Sequence, residues 1–474
     1  MGDVINMDVR VRYAPSPTGF MHVGNLRSAL YNYLIAKSLG GKFILRIEDT
    51  DQKRKIEGSE KIIFDTLKET GLVCDEGPNI GGNFGPYTQS ERKEIYNHYA
   101  SLLIDNGNAY YCFCEKSDVN TCKCRDLDND KVTSFIKSEK SFVIRQKMPK
   151  TGVSSFDDIV FGHIEVENCE LEDQILIKSD GMPTYNFANV IDDHLMKISH
   201  VVRGCEYLSA TPKYNLLYKA FGWDIPIYAH LPLIMGKNPD GTITKLSKRA
   251  GAVSFVDLVN EGYLPEAIIN YIAFLGWNPG STQEIFSLNE LEQVFSIDNI
   301  RKSPAVFDYE KLDWVNEKHI QMKSDSEFKK LISPYIDFDV DKLKLAKLLK
   351  PRISKLSQIK DMIDFFRQCP DFNEELFLNK KNKVTRDNVR ELLLKVISKL
   401  EGVSNWNNDN LFNVLVGLAN DMGIKKNAIM WVTRISASGK EVTPGGSTEI
   451  LDILGKKESL SRLNYALQKW KEVS

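Results

Sequence analysis

An α/β first half built on a parallel sheet, followed by an all-helical C-terminal portion, is the fold class predicted by three observations. The first fifty residues run strand, helix, strand. Apolar spacing from about Ser324 onward is mostly helical. The chain has 474 residues, room for about three domains at roughly 150 residues each.

The first strand is "DVRVRYA", where Val9, Val11 and Tyr13 alternate with polar neighbours until Pro15 and Pro17 end it. After Gly24, Leu26, Leu30, Tyr33 and Leu34 recur at helical spacing. Gly40 and Gly41 close that helix, since glycine accepts the left-handed conformation at a helix end. "KFILRIED" then reads as a more continuously apolar, buried strand. This is a right-handed β-α-β unit, the start of a parallel sheet. Such sheets bind ligands at the carboxyl ends of their strands. Those ends carry "PSPTGFMHVG" and the acidic group Glu48, Asp49 and Asp51, so both clusters are predicted to face one crevice.

A helix N-terminus with glycines beside it suits phosphate, because unpaired amides and the helix dipole both favour an anion. Neither a Walker A sequence nor G-x-G-x-x-G is present, so a nucleotide would be held by another device. His22 adds a donor there. Its alternative role is to cap or pack the helix start.

Four of the eight cysteines fall in "YCFCEKSDVNTCKCRD" as C-x-C-x7-C-x-C, at Cys112, Cys114, Cys122 and Cys124. That spacing can close a tetrahedral thiolate site, and structural zinc is expected in it. The other cysteines are scattered, as buried thiols usually are. In the helical portion, Leu463, Ala466, Leu467 and Trp470 share one face. "DKLKLAKLLKPRISKLSQIK", from Asp341 to Lys360, carries seven basic residues against one acidic and is split by Pro351.

Hydrophobic content of 42 % and charged content of 27 % are those of an ordinary globular protein. No apolar run reaches the ~18 residues of a membrane span, and "MGDVINMDVRV" has no leader pattern, so a cytoplasmic location without membrane contact is expected. Net charge is −2, so a nucleic-acid partner would have to be held by local basic patches.

"RYAPSPTGFMHVGN" (12–25), "GGKFILRIEDTD" (40–51), "DGMPTYNFANVIDDHLMKISHVVRG" (180–204) and "KLSKR" (245–249), in that order, resemble the motifs of class I aminoacyl-tRNA synthetases of the glutamyl and glutaminyl branch. The resemblance implies a Rossmann-like class I synthetase catalytic core with an inserted acceptor-binding domain, followed by an all-helical anticodon-binding domain. The expected boundaries are 1–95 and 191–250 for the catalytic core and 96–190 for the insertion with its zinc site. Residues 251–320 are expected to contact the tRNA stem and 321–474 to bind the anticodon. A helical rather than β-barrel C-terminal domain resembles the bacterial glutamyl enzymes.

By that resemblance the chain activates L-glutamate with ATP and Mg²⁺, then transfers it to tRNA(Glu), as a monomer. The alternative is an enzyme that also charges tRNA(Gln). His22, Gly24, Lys245 and Lys248 are implied to bind ATP, with His22 and the two lysines acting in catalysis. Arg12 would grip the side-chain carboxylate of glutamate, with Ala14 beside it. Ser16 and Glu48 would meet its backbone and ammonium, Tyr185 and Asn189 would line the pocket, and Arg203 would meet the α-carboxylate. Arg352 is implied to read the anticodon. Two positions depart from the motifs: Asn25 stands where the general first motif ends in histidine, and Cys205 where glutamate is common. A nucleotidyltransferase without tRNA does not account for the basic helical domain. A silent tRNA-binding protein does not account for the presence of His22, Lys245, Lys248, Arg12 and Arg203 together.

Overall fold

The structure, a computed structural model, describes residues 8–114, 122–238, 240–246, 254–369, 371 and 373–472. The chain divides into two units, Met1–Val259 with Pro265–Leu312, and Asn260–Leu264 with Asp313–Ser474.

The first unit contains strands β1 (Arg10–Tyr13), β2 (Lys42–Leu45), β3 (Ala109–Cys112), β4 (Val143–Gln146), β5 (Val153–Asp158) and β6 (Gly162–Glu167). After them come β7 (Ile175–Ile177), β8 (His200–Gly204), β9 (Ile227–Leu231), β10 (Ile234–Lys237), β11 (Ile243–Lys245) and β12 (Ala305–Phe307). The main sheet has the order β2-β1-β8-β9-β5-β6. All its neighbours are parallel except the β5–β6 hairpin. The strand order reverses beside β1, so the carboxyl ends of β1, β2 and β8 open onto one crevice, where the β-α-β reading placed the ligand.

Helix α1 (Val23–Ser38) crosses from β1 to β2, with Leu26, Leu30 and Leu34 fully buried. Each such leucine contributes about 1.5–3 kcal/mol by leaving water. The helix ends on Leu39 and Gly40, the latter at φ 65°. At Gly41 a Cβ would lie 2.3 Å from the Val9 carbonyl, so the return into β2 accepts only glycine. Strand β2 is shorter than "KFILRIED" suggests. It stops at Leu45, because Arg46 and Glu48 turn into a buried charge cluster while Ile47 bridges only to Thr88.

A second sheet, β3-β4-β7, packs under helices α2 (Lys93–Asp105) and α3 (Tyr185–Leu195) through Tyr96, Ala100, Leu103, Leu176 and Phe187. The β5–β6 hairpin does not belong to it. Although these residues fall inside the stretch 96–190, β5 pairs with β9 through Asp158 and Tyr228 and extends the main sheet. A third sheet, β11-β10-β12, contains a hairpin that turns at Asp240–Gly241.

The second unit is helical among its described residues, apart from one bridge between Asn379 and Val384. Its helices include Lys342–Leu349, Arg386–Glu401, Asn408–Asp421, Lys426–Ser438 and Ser447–Glu472, the last kinked at Gly455. Leu463, Ala466, Leu467 and Trp470 are buried on one face of that last helix, as their spacing predicted. Among the described residues no helix is long and apolar enough to cross a membrane.

Candidate active site

A cavity of about 810 Å³ opens at the carboxyl ends of β1, β2 and β8 in the first unit. Arg12, Ala14, Ser16, Glu48, Tyr185 and Arg203 all line it, so the structure brings together six residues drawn from three separate motifs. Its wall is held by backbone hydrogen bonds from Glu48 N to Pro15 O at 3.0 Å and from Ile56 N to Pro17 O at 3.1 Å.

Arg12 is 3 % exposed and presents the Nε–Nη2 edge of its guanidinium to Asp193, at 2.9 and 3.2 Å. Its Nη1 donates to the Val202 carbonyl at 3.4 Å. Asp193 also accepts from Arg46 Nη1 at 2.7 Å, and Arg46 Nη2 donates to Glu48 Oε1 at 2.9 Å. Next along the helix, Asp192 is paired with Arg92 at 2.7 Å and accepts from Gln89 and the Tyr96 hydroxyl, each at 2.8 Å. Three guanidiniums and three carboxylates therefore interlock below the cavity. Charges removed from water are tolerable only when paired and hydrogen-bonded this completely.

Burial pushes the Asp193 carboxyl up, but Arg12 and Arg46 outweigh it and hold the group below the ordinary carboxylate range. At Glu48 burial prevails over Arg46 and Arg12, and the group stands above its ordinary value. The sequence reading named Arg12 and Glu48 but missed Arg46, Asp192 and Asp193. The available signal was charge inside runs that otherwise read as buried, "FILRIED" and "NVIDD".

Arg203 lies among the rings of Tyr207, Tyr214 and Tyr228, with its guanidinium carbon 4.8–5.7 Å from their centroids. Tyr185 opens α3 and tilts against Tyr207 at 5.2 Å. Asn189 does not line the cavity. It is 2 % exposed, and its Nδ2 donates back to the Tyr185 carbonyl at 2.7 Å, bracing the helix start.

His22 is the N-cap of α1, with Nδ1 accepting from the Gly24 amide at 3.2 Å. The capping role and the ligand role are compatible, because accepting at Nδ1 puts the proton of the neutral ring on Nε2. The Gly24 amide is committed to that cap, which differs from the expectation that it grips a phosphate. Neither residue lines the cavity, whereas Asn25 and Ser28 from the first two turns of α1 do. Lys245 ends β11. Lys248 lies outside the described residues. Cys205 opens a short turn after β8 beside Glu206, which lines the cavity in its place.

The four cysteines converge, with all their Sγ atoms within 4.8 Å of one another. Cys122 Sγ is 3.5 Å from both Cys112 and Cys114, and Cys114 is 3.7 Å from Cys124. Tetrahedral zinc with bonds of about 2.3 Å sets its sulfurs about 3.8 Å apart, so this donor set fits that ion.

In the second unit Arg352 donates to the Leu348 carbonyl at 2.6 Å and meets Glu449 at 3.3 Å. Four of the seven basic residues in this stretch have acidic partners, since Lys344, Lys350 and Lys355 pair with Asp452, Asp325 and Asp313 in addition to Arg352 with Glu449.

Comparison with known proteins agrees with both units. The family described as "tRNA synthetases class I (E and Q), catalytic domain" matches residues 8–314, and the family "Anticodon binding domain" matches 326–467. A glutamate–tRNA ligase of Clostridium kluyveri is 50 % identical over 482 aligned positions, covering 98 % of each chain. That of Clostridium tetani is also 50 % identical, with the same coverage. Among solved structures, a glutamate tRNA ligase from Elizabethkingia meningosepticum in complex with its amino acid has a TM-score of 0.89 at 34 % identity, covering 97 % of this chain and 99 % of that one. A glutamate–tRNA synthetase from Elizabethkingia anophelis has a TM-score of 0.87 at 34 % identity, covering 97 % and 100 %.

Proposed function

The chain belongs to the class I tRNA synthetases of the glutamate and glutamine type, and we propose that it is a glutamate–tRNA ligase that selects L-glutamate by charge in the cavity below β1, β2 and β8. One observation carries this reading: among the charged groups that line the cavity, the buried ones are the guanidiniums of Arg12 and Arg203 and the carboxylate of Glu48, besides Asp49, which is paired with Lys55. Glutamate brings the complementary set, two carboxylates and one ammonium. A planar guanidinium suits each carboxylate by paired hydrogen bonds.

The reaction has two steps. An α-carboxylate oxygen attacks the α-phosphorus of ATP and pyrophosphate leaves. The 3′ ribose hydroxyl of tRNA(Glu) then attacks the acyl carbon and AMP leaves. No protein nucleophile is needed, so the chain's work is to orient reactants and to stabilise charge on phosphate oxygens. His22 Nε2–H at the start of α1 serves that charge, as do Lys245 and Lys248 of "KLSKR". Mg²⁺ carried in with ATP would bridge its phosphates. Within residues 96–190 the β3-β4-β7 sheet and α2 receive the acceptor end, whereas β5 and β6 belong to the main sheet; 251–320 meet the stem, and 321–474, which contains Arg352, bind the anticodon loop. None of the eight cysteines is joined in a disulfide, which fits a cytoplasmic location. A monomer is the matching assembly, since one chain contains every group these steps use.

Exchange of labelled pyrophosphate into ATP, with L-glutamate and tRNA(Glu) present, is expected for the full chain. His22→Ala is expected to slow it by about tenfold or more, or about 1.4 kcal/mol of barrier. No exchange by the wild-type chain contradicts the function, and a wild-type rate in the variant contradicts the role of His22.

Cys112, Cys114, Cys122 and Cys124 would hold zinc, which when bound ties β3 to the loop after it. Arg125, next to the last ligand, already anchors that loop through Asp173 at 2.7 Å and the Met148 carbonyl at 2.6 Å. Elemental analysis is expected to find about one zinc per chain, falling to a minor fraction in Cys124→Ser. Well under one zinc in the wild-type protein contradicts the site.

A further inference from the structure

Behind Arg203 a line of buried groups leads away from the cavity. Arg203 Nε donates to His230 Nε2 at 3.2 Å, and its Nη2 donates to the Thr211 hydroxyl at 2.9 Å. His230 lies on β9 and is fully buried, with Nδ1 2.7 Å from Asp158 Oδ2. Asp158 ends β5 and is itself fixed. Its Oδ2 accepts the His230 amide at 3.0 Å, and its Oδ1 accepts the amides of Val160 and Phe161 at 2.9 and 2.8 Å. Thr211 donates onward to the Tyr207 carbonyl at 2.8 Å.

The chain of bonds has one consistent proton arrangement. An arginine Nε–H can only donate, so His230 Nε2 is the acceptor and Nδ1 holds the proton toward Asp158. A protonated imidazole would set donor against donor beside a cation. Burial keeps the His230 pKa below the ordinary histidine range, with Asp158 opposing, so the neutral ring prevails.

The three tyrosine rings around Arg203 attract its charge, but a ring face is indifferent to rotation of the guanidinium within its own plane. The bonds at Nε and Nη2 fix that rotation together with the Tyr185 hydroxyl, which also bonds the guanidinium. Thr211 Oγ1 lies 3.3 Å from His230 Nε2. We propose that His230, oriented by Asp158, is a positioning residue that turns the Nη1 edge of Arg203 toward the α-carboxylate of the bound amino acid. This rests on the reading of Arg203 as the α-carboxylate partner, and it extends the glutamate site to a hydrogen-bonded support drawn from the β5–β6 edge of the sheet.

Two substitutions separate orientation from bulk. His230→Asn retains a donor for Asp158 but has no acceptor at the Nε2 position, whereas His230→Gln returns an acceptor there. In tRNA-dependent ATP–pyrophosphate exchange with the full chain, His230→Asn is expected to raise the glutamate KM by at least about tenfold while the ATP KM stays within about twofold. His230→Gln is expected to recover most of that loss. Inhibition by 4-aminobutyrate, which has an ammonium and the distal carboxylate but no α-carboxylate, is expected to be unchanged in His230→Asn. Arg203→Ala serves as the control. If it raises the glutamate KM while His230→Asn leaves it at the wild-type value, positioning by His230 is overturned and the reading of Arg203 stands. If Arg203→Ala has no effect on the glutamate KM, that reading falls and the positioning role with it. Equal rises in both KM values for His230→Asn, with no recovery in His230→Gln, also overturn the proposal, because they mark a merely structural role.

Discussion

Replacing Arg12 by Met is expected to lower kcat/KM for glutamate by about a hundred- to a few-thousand-fold, corresponding to the roughly 3–5 kcal/mol at stake when one partner of a buried charge pair is removed. The substrate would bring its side-chain carboxylate into a cavity lined by Glu48, with Asp193 below it. Without Arg12 it would face those two carboxylates with Arg46 as their shared partner. Arg12→Lys is expected to recover only part of the loss, because an ammonium cannot keep the two-bond contact to Asp193 and also offer a planar edge to the ligand. Steady-state exchange kinetics with glutamate varied at saturating ATP and tRNA check this, and an unchanged kcat/KM in Arg12→Met refutes the assignment.

Arg46→Met is expected to destabilise the first unit by about 3–5 kcal/mol at neutral pH. Arg46 is completely buried and bonds both Glu48 and Asp193, so its loss leaves two interior carboxylates short of a cation. The sign of the pH dependence follows from Asp193. Its native value is depressed below 3.8, so it contributes stability that is present above that value and lost as pH falls through the native one. The variant's deficit should therefore be largest near neutrality and shrink as acid protonates the carboxylates. Amide hydrogen exchange over β1, β2 and β8 reads this unit separately from the helical one. Protection equal to wild type at pH 7, or a deficit that widens in acid, contradicts the role given to the cluster.

The difference between what the sequence displayed and what it concealed is one of range. His22 as a cap, the glycine closure at 40–41 and the C-x-C pairs are local devices, and each is written in adjacent letters. The face of Leu463, Ala466, Leu467 and Trp470 is legible for the same reason, since helical periodicity fixes it within two turns. The joint presence of Arg12, Glu48 and Arg203 at one cavity was accessible only through motif order and the rule for parallel sheets. Arg12–Asp193 and Arg10–Glu76 join positions 181 and 66 residues apart, and no spacing rule connects them. The same holds for Asp158, whose strand reads as part of the insertion until its pairing with β9 is seen. The basic run from Asp341 to Lys360 shows seven basic residues against one acidic in adjacent letters, whereas the acidic partners of four of them, Asp313, Asp325, Glu449 and Asp452, lie elsewhere in the chain. Arg352 keeps part of its surface exposed beside Glu449, so anticodon reading there would proceed by exchanging one acceptor for another.

On the proposed reading, charge complementarity in the β1–β2–β8 cavity selects glutamate for attachment to tRNA. The most direct measurement is charging of purified tRNA(Glu) by the full chain with labelled glutamate or labelled glutamine, each with ATP and without it. Acid-precipitable label is expected from glutamate only when ATP is present, with glutamine giving background. Charging by glutamine at a comparable rate, or no charging by glutamate with ATP present, would contradict the account.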